Sequence, residues 1–290
     1  MPAPMIRAFF DEPTFTVTYL VWDPETRAAA IIDSVLDFDP PSGAVHTRSA
    51  DAVLAVVAEE GLRVEWILET HAHADHLSAA GYLKAKTGAK IGIGARIGEV
   101  QAIFRPRFGI ESAVDRFDVL LEDGARVPLG AQEIEVIATP GHTPACVSYG
   151  IADAVFVGDT MFMPDYGTAR ADFPGGDAAT LYRSIQRLLD LPPETRLFLC
   201  HDYKAPGRDH YAWETSVAEQ RAHNVHVKDG VDEASYVAMR EARDATLAVP
   251  KLILPSLQVN VEGGRLPEAG VGGVRRLALP LAVPEGYTEA

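Results

Sequence analysis

The apolar positions fall into short runs that recur through most of the chain. Phe15, Val17, Tyr19 and Val21 alternate with neighbours of mixed polarity, which predicts an early strand. The run AAAIIDSV at 28–35 reads as a second, more deeply buried strand. Ser49 is placed to cap a helix over 50–60, which Gly61 ends. VEWIL at 64–68 is a short apolar strand, and the stretch after His76 (LSAAGYLKAKTG) reads as a helix stopped by Gly88. Apolar runs on either side of Asp123-Gly124 predict a hairpin. Further strands are expected over 134–138, 145–150, 154–158 and 196–200. Asp177 precedes a helix in which Leu181, Ile185, Leu188 and Leu189 share one face.

Strands interleaved with amphipathic helices predict an α/β (α+β) architecture, with sheets covered by helices around one core. Residues 1–210 read as the main domain. Residues 211–290 differ, with polar helical stretches at 211–226 and 232–247 and then a Pro- and Gly-rich tail at 250–290. This part reads as an extension packed on the core.

Charge narrows the partners. Lys plus Arg number 26 against 41 Asp plus Glu, a formal net charge of −15 over 290 residues. Affinity for nucleic acid rests mainly on Lys and Arg, so a nucleic-acid partner is not expected. Neither is docking to anionic lipid. No segment reaches the roughly 18 apolar residues that span a bilayer. Cys146 and Cys200 form no CxxC pair and read as buried free thiols. The first residues resemble neither a signal nor a transit peptide, so a reducing, cytoplasmic setting is expected.

The chemistry lies at the strand ends. VEWILET runs into His71-Ala-His73-Ala-Asp75-His76, IEVIATPG into His142, AVFVG into Asp159, and RLFLC into His201-Asp202. A single histidine near a strand end is more often a hydrogen-bonded core or surface residue than a ligand. Three histidines and an aspartate within six residues are too costly to bury for packing alone. Imidazole and carboxylate suit zinc, iron and manganese, so these groups predict a metal site. His46, His210, His223 and His226 lack this setting and read as structural.

His-x-His-x-Asp-His at 71–76, Thr-Pro-Gly-His-Thr at 139–143, Gly-Asp-Thr at 158–160 and the late His201 together resemble the metallo-β-lactamase fold superfamily, over residues 15 to about 205. The resemblance implies an αββα sandwich with its metal site on the shared edge of two sheets. In dinuclear members His71, His73, His142 and Asp159 would hold one metal. Asp75, His76, Asp159 and His201 would hold the other.

A finer resemblance is to the persulfide dioxygenases of the ethylmalonic encephalopathy protein type. It is carried by Arg170-Ala-Asp172-Phe173 and His201-Asp202-Tyr203. Glyoxalase II, the nearest hydrolase relative, typically has Gly-Arg-Phe-Phe-Glu and His-Glu-Tyr there. The stretch between Asp159 and Arg170 is slightly longer than in the animal enzyme, and the 211–290 tail is more similar to a bacterial β-lactamase-like hydrolase branch.

The dioxygenase resemblance implies one Fe(II) on His71, His142 and Asp159, a two-histidine, one-carboxylate set with open positions. His73, Asp75, His76 and His201 would then orient ligands and water, with Asp172 as the partner of a histidine. The substrates would be glutathione persulfide and O2, with Arg170 and Tyr203 binding the thiol and Asp159 and Tyr203 serving the reaction. The alternatives are a dinuclear zinc thioester hydrolase of glyoxalase II type, and a metal-binding regulator without catalysis. Relatives of this kind are often homodimers.

Overall fold

Strand burial on two sides sets the architecture. In the computed structural model, which describes residues 3–110, 116–284, 286 and 287, the strands form two six-stranded sheets and one small sheet. Numbered in chain order, the first sheet runs β1 (Met5–Asp11), β2 (Thr16–Trp22), β3 (Ala28–Ile32), β6 (Arg63–Glu69), β8 (Lys90–Gly94), β9 (Val119–Leu121). The second runs β10 (Arg126–Leu129), β11 (Gln132–Ala138), β12 (Val147–Ile151), β13 (Ala154–Phe156), β14 (Arg196–Phe198), β15 (Glu214–Ser216). Strands β4 (Val35–Asp39), β5 (Ala44–His46) and β7 (Leu77–Ser78) make the small sheet.

Three apolar clusters define the layers. Val17, Tyr19, Val21, Leu68, Tyr149 and Phe156 belong to the core between the two large sheets. The outer face of the first sheet packs on α1 (Arg48–Glu59), α2 (Ala80–Thr87), α3 (Ile97–Phe108) and α7 (Ile253–Asn260). The outer face of the second packs on α4 (Ala178–Leu189), with α5 (Val217–His223) and α6 (Glu233–Asp244) beyond. This is the expected αββα sandwich. Because each large sheet is covered on both sides, β2 is buried at every position despite its alternating sequence. Its polar residues find internal partners, as Thr18 Oγ1 does at the Asp33 carbonyl, 2.8 Å away. Two tyrosines tie the sheets together: Tyr19 donates to the Leu199 carbonyl at 2.6 Å and Tyr149 to the Glu69 carbonyl at 2.8 Å.

The structure corrects several local expectations: Leu77–Ser78 form β7 before α2 begins, and the run at 28–35 ends as a strand at Ile32. The runs around Asp123-Gly124 do not pair with each other. Strand β9 joins β8 in the first sheet and β10 joins β11 in the second, so the turn carries the chain between sheets. An Asp-Gly turn reverses the chain, but burial decides which partner each run finds. Helix α1 begins one residue before Ser49, and Thr47 is its N-cap without a side-chain capping bond. The exposed amide of Ser49 is satisfied instead by Asp37 Oδ2 at 3.1 Å, while its hydroxyl donates to Asp37 Oδ1 at 2.9 Å. Residues 211–226 are not one helix: β15 first adds an edge strand beside β14, and Ser216 with Glu219 then forms a capping box opening α5.

Beyond residue 250 the chain supplies α7, and residues 256–264 are buried before the tail runs out along the surface. No helix among the described residues is long and apolar enough to cross a membrane.

Helix α6 is anchored by a buried ion pair. Arg240 Nε and Nη2 donate to Asp244 Oδ1 at 2.9 and 2.6 Å, and Nη1 donates to the Thr168 carbonyl at 3.1 Å. Asp244 Oδ2 accepts the Ala171 amide at 2.8 Å. Asp244→Ala strands a buried guanidinium, so a loss of about 3–5 kcal/mol is expected in urea unfolding; a loss under about 1 kcal/mol overturns this role for the pair.

Next to this pair, His226 Nδ1 accepts the Thr168 amide at 3.0 Å. Burial, helped by Arg240 and Arg243, pushes the His226 pKa down to about 4. The folded value lies below the unfolded one of roughly 6.5, so the unfolded chain takes up the proton first and stability falls as pH drops from about 6.5 towards 4. His226→Gln should flatten part of that slope in urea titrations at pH 7.5 and 4.5; an identical slope overturns the assignment.

Candidate metal centre

Within each sheet the strands that end at the site run parallel to one another, so their C-terminal ends share an edge. Strands β3 and β6 pair in parallel, as do β13 and β14, and β11 runs the same way as β13 across antiparallel β12. A bridge between Thr16 and His201 joins the two sheets at this edge. Asp33 follows β3, Thr70 to His76 follow β6, His142 follows β11, Asp159 follows β13 and His201 follows β14. Glycine is needed at two of these turns. Gly158 has φ +54, and a Cβ there would meet Thr70 Oγ1 at 2.6 Å. Gly141 has φ +137 and lies against the backbone of Leu181.

Hydrogen bonds behind the rings fix their tautomers. His142 Nδ1 donates to the Arg170 carbonyl at 2.8 Å and His201 Nδ1 to the Phe15 carbonyl at 3.2 Å. A carbonyl only accepts, so each Nδ1 carries the proton and each Nε2 is a bare lone pair. Thr70 Oγ1 donates its one proton to Asp33 Oδ2 at 2.9 Å, so at 3.0 Å from His71 Nδ1 it acts as acceptor. His71 Nε2 is therefore bare as well. Behind His76, Nδ1 lies 3.1 Å from Asp75 Oδ2 and 3.3 Å from Thr16 Oγ1.

The bare atoms face one carboxylate. Asp159 Oδ2 lies 3.9 Å from His71 Nε2 and 3.7 Å from His142 Nε2, and Asp159 Oδ1 lies 3.3 Å from His201 Nε2. His71 Nε2, His76 Nε2, His201 Nε2 and Asp159 Oδ1 are buried without a hydrogen-bond partner among the described residues. Leaving so many buried acceptors unpaired is costly unless a cation sits between them. Ligand atoms about 2.1 Å from one ion lie at most about 4.2 Å apart, which the His71–Asp159 and His142–Asp159 distances satisfy. Burial, with the neighbouring His73 and His142, holds the His71 pKa well below its ordinary value, which favours the neutral ring a metal requires.

The expected groups do not all converge alike. The ligand atoms of His71, His142 and Asp159 lie within 4.8 Å of one another. Asp75, His76 and His201 do not meet that span as a set, although His201 Nε2 lies 3.5 Å from Asp75 Oδ2 as well as 3.3 Å from Asp159 Oδ1. His73 turns Nε2 towards Asp33 Oδ1 at 3.0 Å and Glu69 Oε2 at 3.5 Å. Against the effect of burial, these two carboxylates raise its pKa well above the ordinary value. Its ring also comes within reach of Asp75 with His76, and of Cys200 with His201.

Arg170 is already engaged. Its Nε and Nη2 donate to Asp172 at 2.5 and 2.7 Å, and Nη1 donates to the Ala248 carbonyl at 2.8 Å. Asp172 thus pairs with Arg170 and not with a histidine; it is the Arg170 carbonyl that takes the His142 proton. The Tyr203 ring lies 5.7 Å from that of His201. Burial, with Asp159 and Asp75 nearby, pushes the Tyr203 pKa well above 10, so the hydroxyl stays a donor. A cavity of about 310 Å3 opens beside His76, lined by Thr14, Asp37, His46, Arg48 and Leu252 among others.

Asp33 was absent from the expected site and organises it. It is buried at φ +52 and accepts the Thr70 amide at 2.8 Å, the Thr70 hydroxyl at 2.9 Å and His73 Nε2 at 3.0 Å. Its signal was in the sequence: an acid closing the apolar run AAAII, just as Asp159 closes AVFVG. Glu69 carries the same signal after WIL. Asp33→Asn keeps the shape but turns an amide group on its donors. Chelator competition should show metal binding weakened about 10–100-fold; affinity within twofold of the wild type overturns this role.

Similarity to known proteins agrees with this site. Residues 11–201 match the metallo-beta-lactamase superfamily. A probable metallo-hydrolase of Burkholderia pseudomallei is 52% identical over 290 residues, covering 95% of this chain and 98% of the relative. Human mitochondrial persulfide dioxygenase is 33% identical over 202 residues, covering 69% of this chain and 68% of its own length. The crystal structure of ETHE1 from Myxococcus xanthus superposes with a TM-score of 0.74 at 33% identity, covering 90% of this chain and all of that one. On fold, metal-site geometry and sequence alike, the chain belongs to the metallo-β-lactamase superfamily.

Proposed function

We propose that this protein is a persulfide dioxygenase that oxidises glutathione persulfide at a single Fe(II) held by His71, His142 and Asp159. The observation that carries the reading is the convergence of His71, His142 and Asp159; the other close groups among the described residues all run through His73, which Asp33 and Glu69 engage. Two neutral imidazoles and one carboxylate leave a net charge of +1 on a divalent ion, which suits a persulfide anion. Fe(II) held there would supply a redox-active centre for the reaction with O2, which zinc would not.

The balanced reaction takes one persulfide anion, one O2 and one water to one thiol, one sulfite and one proton. The terminal sulfur gives up the four electrons that O2 accepts, and the sulfur–sulfur bond breaks. In this chain the Arg170 carbonyl and Thr70 hydroxyl hold His142 and His71 in their ligand tautomers. The Tyr203 hydroxyl donates to the substrate from beside His201. The cavity next to His76 receives the body of the thiol. Glutathione is anionic and the chain is acidic, so a local cation is needed. Arg48 is the arginine on the cavity wall; it sits 4.0 Å from Asp37 with Asp11 and Asp39 also lining the cavity, so it would have to turn from Asp37 to meet the thiol's carboxylates. Arg170 could do so only by releasing Asp172.

The hydrolase reading keeps its own support: the similarity to a probable metallo-hydrolase and, at 46% identity, to Glyoxylase B2 of Dictyostelium discoideum, each over 95% of the chain. The two separate on oxygen. Protein purified anaerobically and analysed for metals should carry one iron per chain, and it should consume O2 with glutathione persulfide while releasing sulfite. Two zinc ions, no O2 uptake and hydrolysis of S-lactoylglutathione overturn the dioxygenase reading.

A further inference from the structure

We infer that Asn260, the last residue of α7, is a positioning residue that clamps the loop bearing His71 to His76 and so sets how tightly the centre holds its metal. The inference needs only the metal centre and is independent of which reaction it runs. Asn260 Nδ2 donates to the His73 carbonyl at 2.8 Å and to the His76 carbonyl at 2.7 Å, and its Oδ1 accepts the Ser78 amide at 2.8 Å. The contacts span 182 to 187 residues of sequence. Only one orientation of the amide serves all three, because the flipped group would set its oxygen against two carbonyls.

The loop needs such a partner. Residues 71–76 lie outside helix and strand, so their carbonyls have no ladder to join. The side chains of His71, His73 and His76 occupy the site side, and the backbone behind them faces the apolar cluster of α2, α3 and α7. A carbonyl buried there without a donor is costly, and one that finds a different donor moves its imidazole. Asn260 is a buried polar residue next to Val259 and Val261, which with Leu257 are buried in that cluster.

The clamp is itself braced. Gln101 Nε2 donates to the Val261 carbonyl at 2.9 Å, and Arg105 Nε pairs with Glu262 at 2.7 Å. Gly81 lets the chain close in behind, since a Cβ there would meet the Gly264 carbonyl at 2.6 Å. The extension therefore reaches the metal site through a fixed wedge. Nothing in its sequence had marked Asn260.

The test compares Asn260→Leu, of similar volume but without hydrogen bonds, with Asn260→Asp, which keeps the acceptor for Ser78 and loses both donors. Gln258→Ala is the control: Gln258 ties the same helix to Ala278 at 2.9 Å and touches no loop atom. Three quantities are read: the Co(II) dissociation constant by chelator competition, the d–d absorption of the Co(II) form, and the Tm of the metal-free protein. Both Asn260 variants should bind Co(II) about 10–100-fold more weakly with altered d–d bands, while Gln258→Ala stays within twofold of the wild type. Should Asn260→Leu not fold, the near-isosteric Asn260→Asp decides alone. Folded Asn260→Asp with affinity within twofold and an unchanged spectrum overturns the inference. So does an equal loss in Gln258→Ala, which would trace the effect to helix packing and not to the clamp.

Discussion

A set of nitrogen lone pairs and carboxylate oxygens, buried face to face with no proton among them, is the constraint on which this structure turns. The protons that could have relieved it point the other way. His142 spends its proton on the Arg170 carbonyl and His201 on that of Phe15, and the Thr70 hydroxyl takes that of His71 because its own is given to Asp33. Each outward bond removes a donor from the interior. Burying these groups without protons between them costs desolvation, and a divalent ion between His71, His142 and Asp159 would offset it. Metal affinity is in this sense built into the hydrogen bonds behind the ligands as much as into the ligands.

The αββα frame makes that arrangement possible. Parallel strand ends deliver Asp33, the 70–76 loop, His142, Asp159 and His201 to one edge from two different sheets, so the ligand groups converge without any long mobile loop. Burial of both faces of each large sheet then excludes water from behind the site. Tyr149 and Tyr19, donating across the core to carbonyls next to Thr70 and Cys200, hold the two sheets at a fixed spacing. A shift of one sheet over the other would separate His71 from Asp159, which belong to different sheets and lie 3.9 Å apart.

Much of this was legible in the sequence. The apolar runs located most strands of both large sheets, and the polar groups closing those runs named the metal-facing residues. What escaped has physical reasons. The Asp123-Gly124 turn specified a reversal but not a partner, because pairing is settled by burial across the whole sheet. Strand β15 escaped because three residues at a sheet edge leave no period to read. Asp33 and Glu69 close apolar runs as Asp159 does. Asn260 was illegible, since its role depends on a packing contact more than 180 residues distant.

Arg170 shows why a motif does not carry its own explanation. Its backbone carbonyl orients His142, a task any residue at that position could perform. Its guanidinium does something separate, joining Asp172 to the Ala248 carbonyl and so tying the loop after Asp159 to the segment that follows α6. That segment is fixed in turn by Arg240 and Asp244, whose carboxylate reaches the Ala171 amide, one residue from the carbonyl on which His142 depends. The buried ion pair on α6 therefore holds, from its N–H side, the same peptide group whose carbonyl orients His142. The chain beyond residue 210 grips the centre at two points, there and at Asn260, one beside His142 and the other behind His73 and His76. Between them they brace loops from both sheets, so the extension acts as part of the scaffold that keeps the two halves of the site in register.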